Sequence, residues 1–184
     1  KGVCIMTDRI LRKIRMDIHN NFGKKVDWSS IPTGNFNCYM FAIFNTVSTE
    51  ALDCVKDGKV FLNSLIREEV AYFGRIGQLS GNTRYSTVPE VIKVWKGDLR
   101  ILGILAEECS LDEKMPNGYV KVAFFYDINN RSNFHFIRQE GEKWLHKPGW
   151  FHDVEELEVP IEKFSYSELE LIGTFRLSLI KDCG

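Results

Sequence analysis

The sequence predicts an α+β fold, with N-terminal helices packed on an antiparallel β-sheet. Up to about residue 100 the apolar residues recur at helical spacing. From Tyr119 onward they gather in short runs rich in β-branched and aromatic residues, separated by turn formers. Helices first and strands afterwards is the α+β order. The 184 residues fit one domain, 1–184, long enough for a sizeable core.

Thr7 or Asp8 can cap a first helix reaching Asn20, because Ile10, Leu11, Ile14 and Ile18 fall on one stripe. His19 closes it favourably against the helix dipole, and Gly23 stops it. Residues 24–36 carry Asp27, Ser29, Ser30, Pro32 and Gly34 and read as loop. From Cys38 the chain turns almost wholly apolar, through Tyr39, Met40, Phe41, Ala42, Ile43 and Phe44, which predicts a central buried helix. Asn35 or Asn37 is its N-cap, placing Cys38 in the first turn.

After the break at Asp57-Gly58-Lys59, residues 60–73 read as an amphipathic helix and 74–86 as a loop. Ser86 or Thr87 with Pro89 opens another helix, expected to end near Gly97. Leu99 to Leu105 suits strand or helix, and Cys109 to Gly118 is turn-rich. Tyr119 to Tyr126 is a strand, and Asp127 to Ser132 a turn. Asn133 to His146 is a hairpin turning at Glu140-Gly141, which pairs Gln139 with Glu142, Ile137 with Trp144 and His135 with His146. The segment from Phe164 to Leu169 fits no type, and Leu171 to Ile180 is a last strand.

Composition excludes several classes. Lys+Arg 24 against Asp+Glu 25 gives no basic field for nucleic acid or an anionic membrane. The apolar runs fall well short of the roughly 20 residues of a membrane helix. Five scattered cysteines without a Cys-x-x-Cys give no zinc framework and favour a reduced cytoplasm. The start at Lys1 fits removal of an upstream segment, which leaves export or delivery open. Cys54 and Cys109 read as structural thiols.

The chemistry lies in Cys38, His135 and His146. A thiol in the first turn of a buried helix has N–H donors and a positive dipole end nearby, which favour the thiolate. An imidazole can take the thiol proton and return it to a leaving group, if a third polar group holds its other nitrogen. Across the predicted hairpin that group is His146, with Asp127 and Glu142 as alternatives. The Cys38 backbone N–H is the first oxyanion donor; Asn35, Asn37 and Tyr39 are oxyanion or cleft candidates. Two cross-strand histidines could instead bind a metal if His152 or Asp153 converged on them, but no spacing demands it, and no metal or other cofactor is expected.

Asn37-Cys38-Tyr39 before an apolar helix resembles the cysteine box of the NlpC-type cell-wall endopeptidases, in which a strand histidine is followed by a second polar residue on the next strand. The series Tyr119-Val-Lys-Val-Ala-Phe-Phe125, His135-Phe-Ile-Arg-Gln139 and Trp144-Leu-His-Lys-Pro-Gly149 is similar to that of bacterial papain-like proteins. The likeness runs in order from Asn35 to Gly149. It implies a papain-like fold with Cys38 as nucleophile, His135 as base and His146 as orienting group. The aromatic-glycine segment usual before the endopeptidase cysteine is absent, with Trp28 and Gly34 only loose echoes, so peptidoglycan is not implied as substrate.

The expected function is a thiol-dependent hydrolase forming an acyl-thioester on Cys38, with a peptide, amide or acyl substrate and peptidase or amidase chemistry foremost. Two alternatives stand beside it. One is a catalytically inactive papain-like binding domain, and the other a deamidase or acyltransferase effector using the same Cys-His pair.

Overall fold

A computed structural model describes residues 8–24, 27–30, 37–43, 75–77, 79–82, 84–130, 133–149 and 152–181. The helix expected over 60–73, the candidate Asn35, and Cys4, Cys54 and Cys183 lie outside them. The described elements form a mixed α+β structure: three helices, α1 (Asp8–Asn21), α2 (Cys38–Ile43) and α3 (Val88–Ile101), and one antiparallel sheet. Its six strands are β1 (Ile104–Glu108), β2 (Val120–Tyr126), β3 (Phe134–Glu140), β4 (Lys143–His146), β5 (Glu155–Glu156) and β6 (Glu170–Leu179). They lie in the order β1-β6-β2-β3-β4-β5, so the last strand in sequence sits between the first two. No described helix is long and apolar enough to cross a membrane.

The pleat of β2 and β3 sorts their residues onto two faces. Val122, Phe124, Tyr126, Phe134 and Phe136 face the helices and build the larger core. Trp95 from α3 is its centre, stacked on Phe136 at 5.4 Å and meeting the edge of Phe175 at 4.9 Å. Ala123, Phe125 and Ile137 face the other way and pack under Ile161 and Leu169, with Trp144, Phe164 and Tyr166 around them. Every residue of β2 is therefore buried, as a central strand covered on both faces requires.

α3 begins where the sequence places it. Thr87 is the N-cap, its hydroxyl accepting from the Glu90 N–H while the Glu90 carboxylate accepts from the Thr87 N–H, the reciprocal capping box. Its end differs from expectation, because the helix runs through Gly97 to Ile101 and stops at Gly103, whose φ is 80°. Asp98 and Leu99, both fully buried, hold the extra turn. The Asp98 carboxylate accepts from the N–H groups of Gly77 and Ser80 and from the Tyr39 hydroxyl, so packing overrides the poor helix propensity of one glycine. The ambiguous run Leu99–Leu105 divides between the end of α3 and the start of β1.

The hairpin forms with its register moved by two residues. Glu140 pairs with Lys143, Gln139 with Trp144 and Ile137 with His146, so the loop is Gly141-Glu142. Gly141 at the first loop position has φ 64° while Glu142 has no positive φ, the pattern of a type II′ turn. A shift of two keeps every side chain on its expected face.

A Cβ at Gly97 would meet nothing within 4 Å. Gly97→Ala is therefore expected to stabilise the protein by about 0.5–1 kcal/mol, measured as a higher denaturant midpoint at unchanged slope.

Candidate functional site

Cys38 is the first residue of α2, and the cap that places it is Asn37, whose Oδ1 accepts the Met40 N–H at 3.0 Å. All six residues of α2 are buried, and the helix lies against β3. The Cys38 thiol faces the Phe134 carbonyl at 3.9 Å, and the N–H groups of Phe136, Tyr39 and Cys38 itself point hydrogen bonds at the sulfur. β4 ends at His146 opposite Ile137, so residues 134–136 of β3 have no partner in that strand. The sulfur thus touches the backbone on either side of His135, at the stretch of β3 that β4 leaves uncovered.

His135 projects to the opposite face from Phe134 and Phe136. Its Nε2 lies 3.1 Å from Nδ1 of His146. The two residues are diagonal rather than directly opposite, and the rings meet edge to face with centroids 5.3 Å apart. Tyr166 lies flat on the His135 ring, 4.5 Å away with 15° between the planes, and the Phe164 ring lies 6.1 Å from each of the two. His135 is almost fully buried. Burial, with a smaller contribution from the neighbouring His146, holds its pKa down at about 3. Burial also lowers that of His146, against a raising effect from Glu155.

The thiol is shifted the other way. Burial pushes Cys38 up to about 11, outweighing the three N–H groups and the nearby positive charge of Lys147. Lys147 is itself buried, its ammonium donating to the carbonyls of Gly149 and His152 at 2.7 Å each, and burial brings its pKa down to about 8. The site therefore holds an uncharged thiol and an uncharged imidazole near neutral pH.

The structure thus brings His135 and His146 together and sets Cys38 against the strand that carries His135. The remaining candidates are placed elsewhere or otherwise engaged. Asn37 presents its side-chain oxygen to the helix N-terminus. Tyr39 belongs to the core, fully buried, donating to Asp98 at 3.2 Å and packed against Phe134 and Phe136. Asp127 caps its own turn, accepting from the N–H groups of Asn129 and Asn130, and does not orient His135. Glu142 is exposed on the hairpin loop. His152 and Asp153 are exposed, and among the described residues no three His, Cys, Asp or Glu side chains converge as a metal site would need.

Three residues at the pair were not found from sequence. Tyr166 and Phe164 belong to an irregular segment with no period. Glu155 lies in a two-residue strand, directly across from His146. Comparison with protein-family models, curated proteins and solved structures gives no match to this chain.

The depressed pKa of His135 fixes the sign of an acid effect. Between an ordinary histidine value near 6.5 and about 3, the unfolded chain binds a proton that the folded one excludes. The stability is present above pH 6.5 and is lost as pH falls through that window, by ~1.4 kcal/mol per pH unit for one such group. His135→Phe, which keeps an aromatic ring beneath Tyr166, is expected to flatten the fall in urea midpoint between pH 6.5 and 4 without abolishing it, since His146 shifts in the same direction.

Proposed function

We propose that this chain is a thiol-dependent hydrolase with a papain-like, NlpC-type arrangement, acting on an amide or ester through an acyl-thioester on Cys38. The observation that carries the reading is the His135–His146 contact of 3.1 Å, on the strand whose backbone the Cys38 sulfur touches. Cys38 is the nucleophile. His135 has its Nε2 engaged with His146, which leaves Nδ1 to take the thiol proton and hand it to the leaving group. His146 orients the base. Peptidase or amidase chemistry comes first, and deamidation or acyl transfer uses the same acyl-enzyme with a different acceptor.

The direction of the two pKa shifts bears on how such a site works. Burial is the first cause of both, raising Cys38 and lowering His135. An opening that admits water or substrate removes that cause and brings the two values toward each other. Attack then belongs to an opened state, which the free protein reaches readily enough for small electrophiles, with the proton moving as the thiol engages its target.

A second reading has its own support. Cys38 is only 6% exposed and its thiol is held well above the ordinary range, as suits a papain-like domain retained for binding without catalysis. Labelling with iodoacetamide near neutral pH separates the two. As a hydrolase the chain is expected to alkylate at Cys38 faster than at the half-buried Cys109 or the other cysteines. A peptide and acyl-ester library is then expected to trap a thioester that Cys38→Ala abolishes and His135→Ala slows by about 10²–10⁴-fold. Slow, equal labelling of all five thiols sinks the hydrolase and leaves the binding domain.

A further inference from the structure

Two neutral imidazoles in line can share their protons in two ways. In one arrangement His135 donates from Nε2 to Nδ1 of His146, and His135 Nδ1 is bare. In the other His146 donates from Nδ1, and His135 carries its proton on Nδ1. Only the first leaves His135 able to take a proton from a thiol. The 3.1 Å distance fits both.

What breaks the tie stands on the far side of His146. β4 and β5 pair with His146 directly opposite Glu155, and Oε2 of Glu155 lies 3.8 Å from Nε2 of His146. The distance is that of an ionic contact rather than a hydrogen bond. It nevertheless puts a negative charge beside one particular ring nitrogen. A carboxylate there favours a proton on Nε2 and repels a bare lone pair. With Nε2 protonated, neutral His146 has Nδ1 bare, Nδ1 accepts from His135 Nε2, and His135 Nδ1 is freed. The chain Glu155–His146–His135 thereby has a polarity that runs inward from the surface.

We infer that Glu155 is a positioning residue that sets the tautomers of both histidines and so makes Nδ1 of His135 the basic nitrogen. No bond between heavy atoms forms or breaks; only the placement of two protons is fixed. The other charged or titratable groups near the histidines and the thiol are Tyr166, which is neutral at physiological pH, and Lys147 with its neighbour Asp153, which act on the Cys38 side. None of these is placed to make the same choice. The raising effect of Glu155 on the His146 pKa has the sign this arrangement requires. The inference rests on the working-pair reading for its functional meaning, but its test does not.

The experiment is histidine side-chain nitrogen NMR at pH 7 on the wild-type chain, Glu155→Gln and Glu155→Ala. Glu155 is more than half exposed, so neither change disturbs the core. The wild type is expected to show His135 protonated at Nε2 and bare at Nδ1, and His146 likewise. Glu155→Ala is expected to bring up the reverse tautomer of both rings and to slow Cys38 alkylation by about tenfold. Glu155→Gln, whose amide oxygen can still face Nε2, is expected to restore most of the wild-type pattern. A wild-type His135 protonated at Nδ1, or tautomers indifferent to Glu155→Ala, overturns the inference. If the expected tautomers are found on an unreactive Cys38, the hydrolase reading falls while the role of Glu155 stands.

Discussion

A hydrogen bond between two uncharged imidazoles needs a dry place, and the second face of the sheet supplies one. His135 and His146 meet under Phe164 and Tyr166, with Ile137 and Trp144 on the same face. The aromatic cover excludes water, which keeps both rings neutral and strengthens the contact between them. The same cover fixes the plane of His135, so its free nitrogen has one direction rather than a range. Much of the remaining structure supports that arrangement. β2, buried along its whole length, holds β3 straight, and the Trp95 core presses α2 against the opposite face.

Cys38 lies on the helix side of the sheet and His135 on the other, and the Cys38 sulfur meets the β3 backbone on either side of His135. α2 brings the sulfur to the stretch of β3 that β4 leaves unpaired, where it takes Phe134 and Phe136 backbone groups in place of a neighbouring strand. The early end of β4 therefore matters as much as either side chain. A β4 continued by three residues in the same register would lie opposite Phe136, His135 and Phe134, a stretch whose backbone groups the sulfur uses.

The elements with strong local signals were readable from the chain. The capping box at Thr87, the apolar run of β2 and the asparagine before Cys38 each specify their structure within a few residues. The hairpin register was not, because Glu140-Gly141 and Gly141-Glu142 both place the glycine in a two-residue loop. The choice depends on which loop position needs the positive φ. The histidine pair survived that error only because a shift of two preserves faces. Tyr39 suited either the cleft or the core, and one step along a helix, which turns a side chain by about 100°, carries it from the Cys38 position into the core. Glu155, Phe164 and Tyr166 reach the site through irregular connections whose paths no periodicity records.

β6 lies between β1 and β2, although it is the last of the described strands in sequence. β1 pairs only with β6 among the described strands, across more than sixty residues of chain. During synthesis, the helices and the hairpin emerge long before the sheet can close around them. Completing the sheet thus waits on non-local pairing, which favours slow folding over fast. A chain stopped before β6 has its histidines and its thiol but lacks the strand that joins β1 to β2.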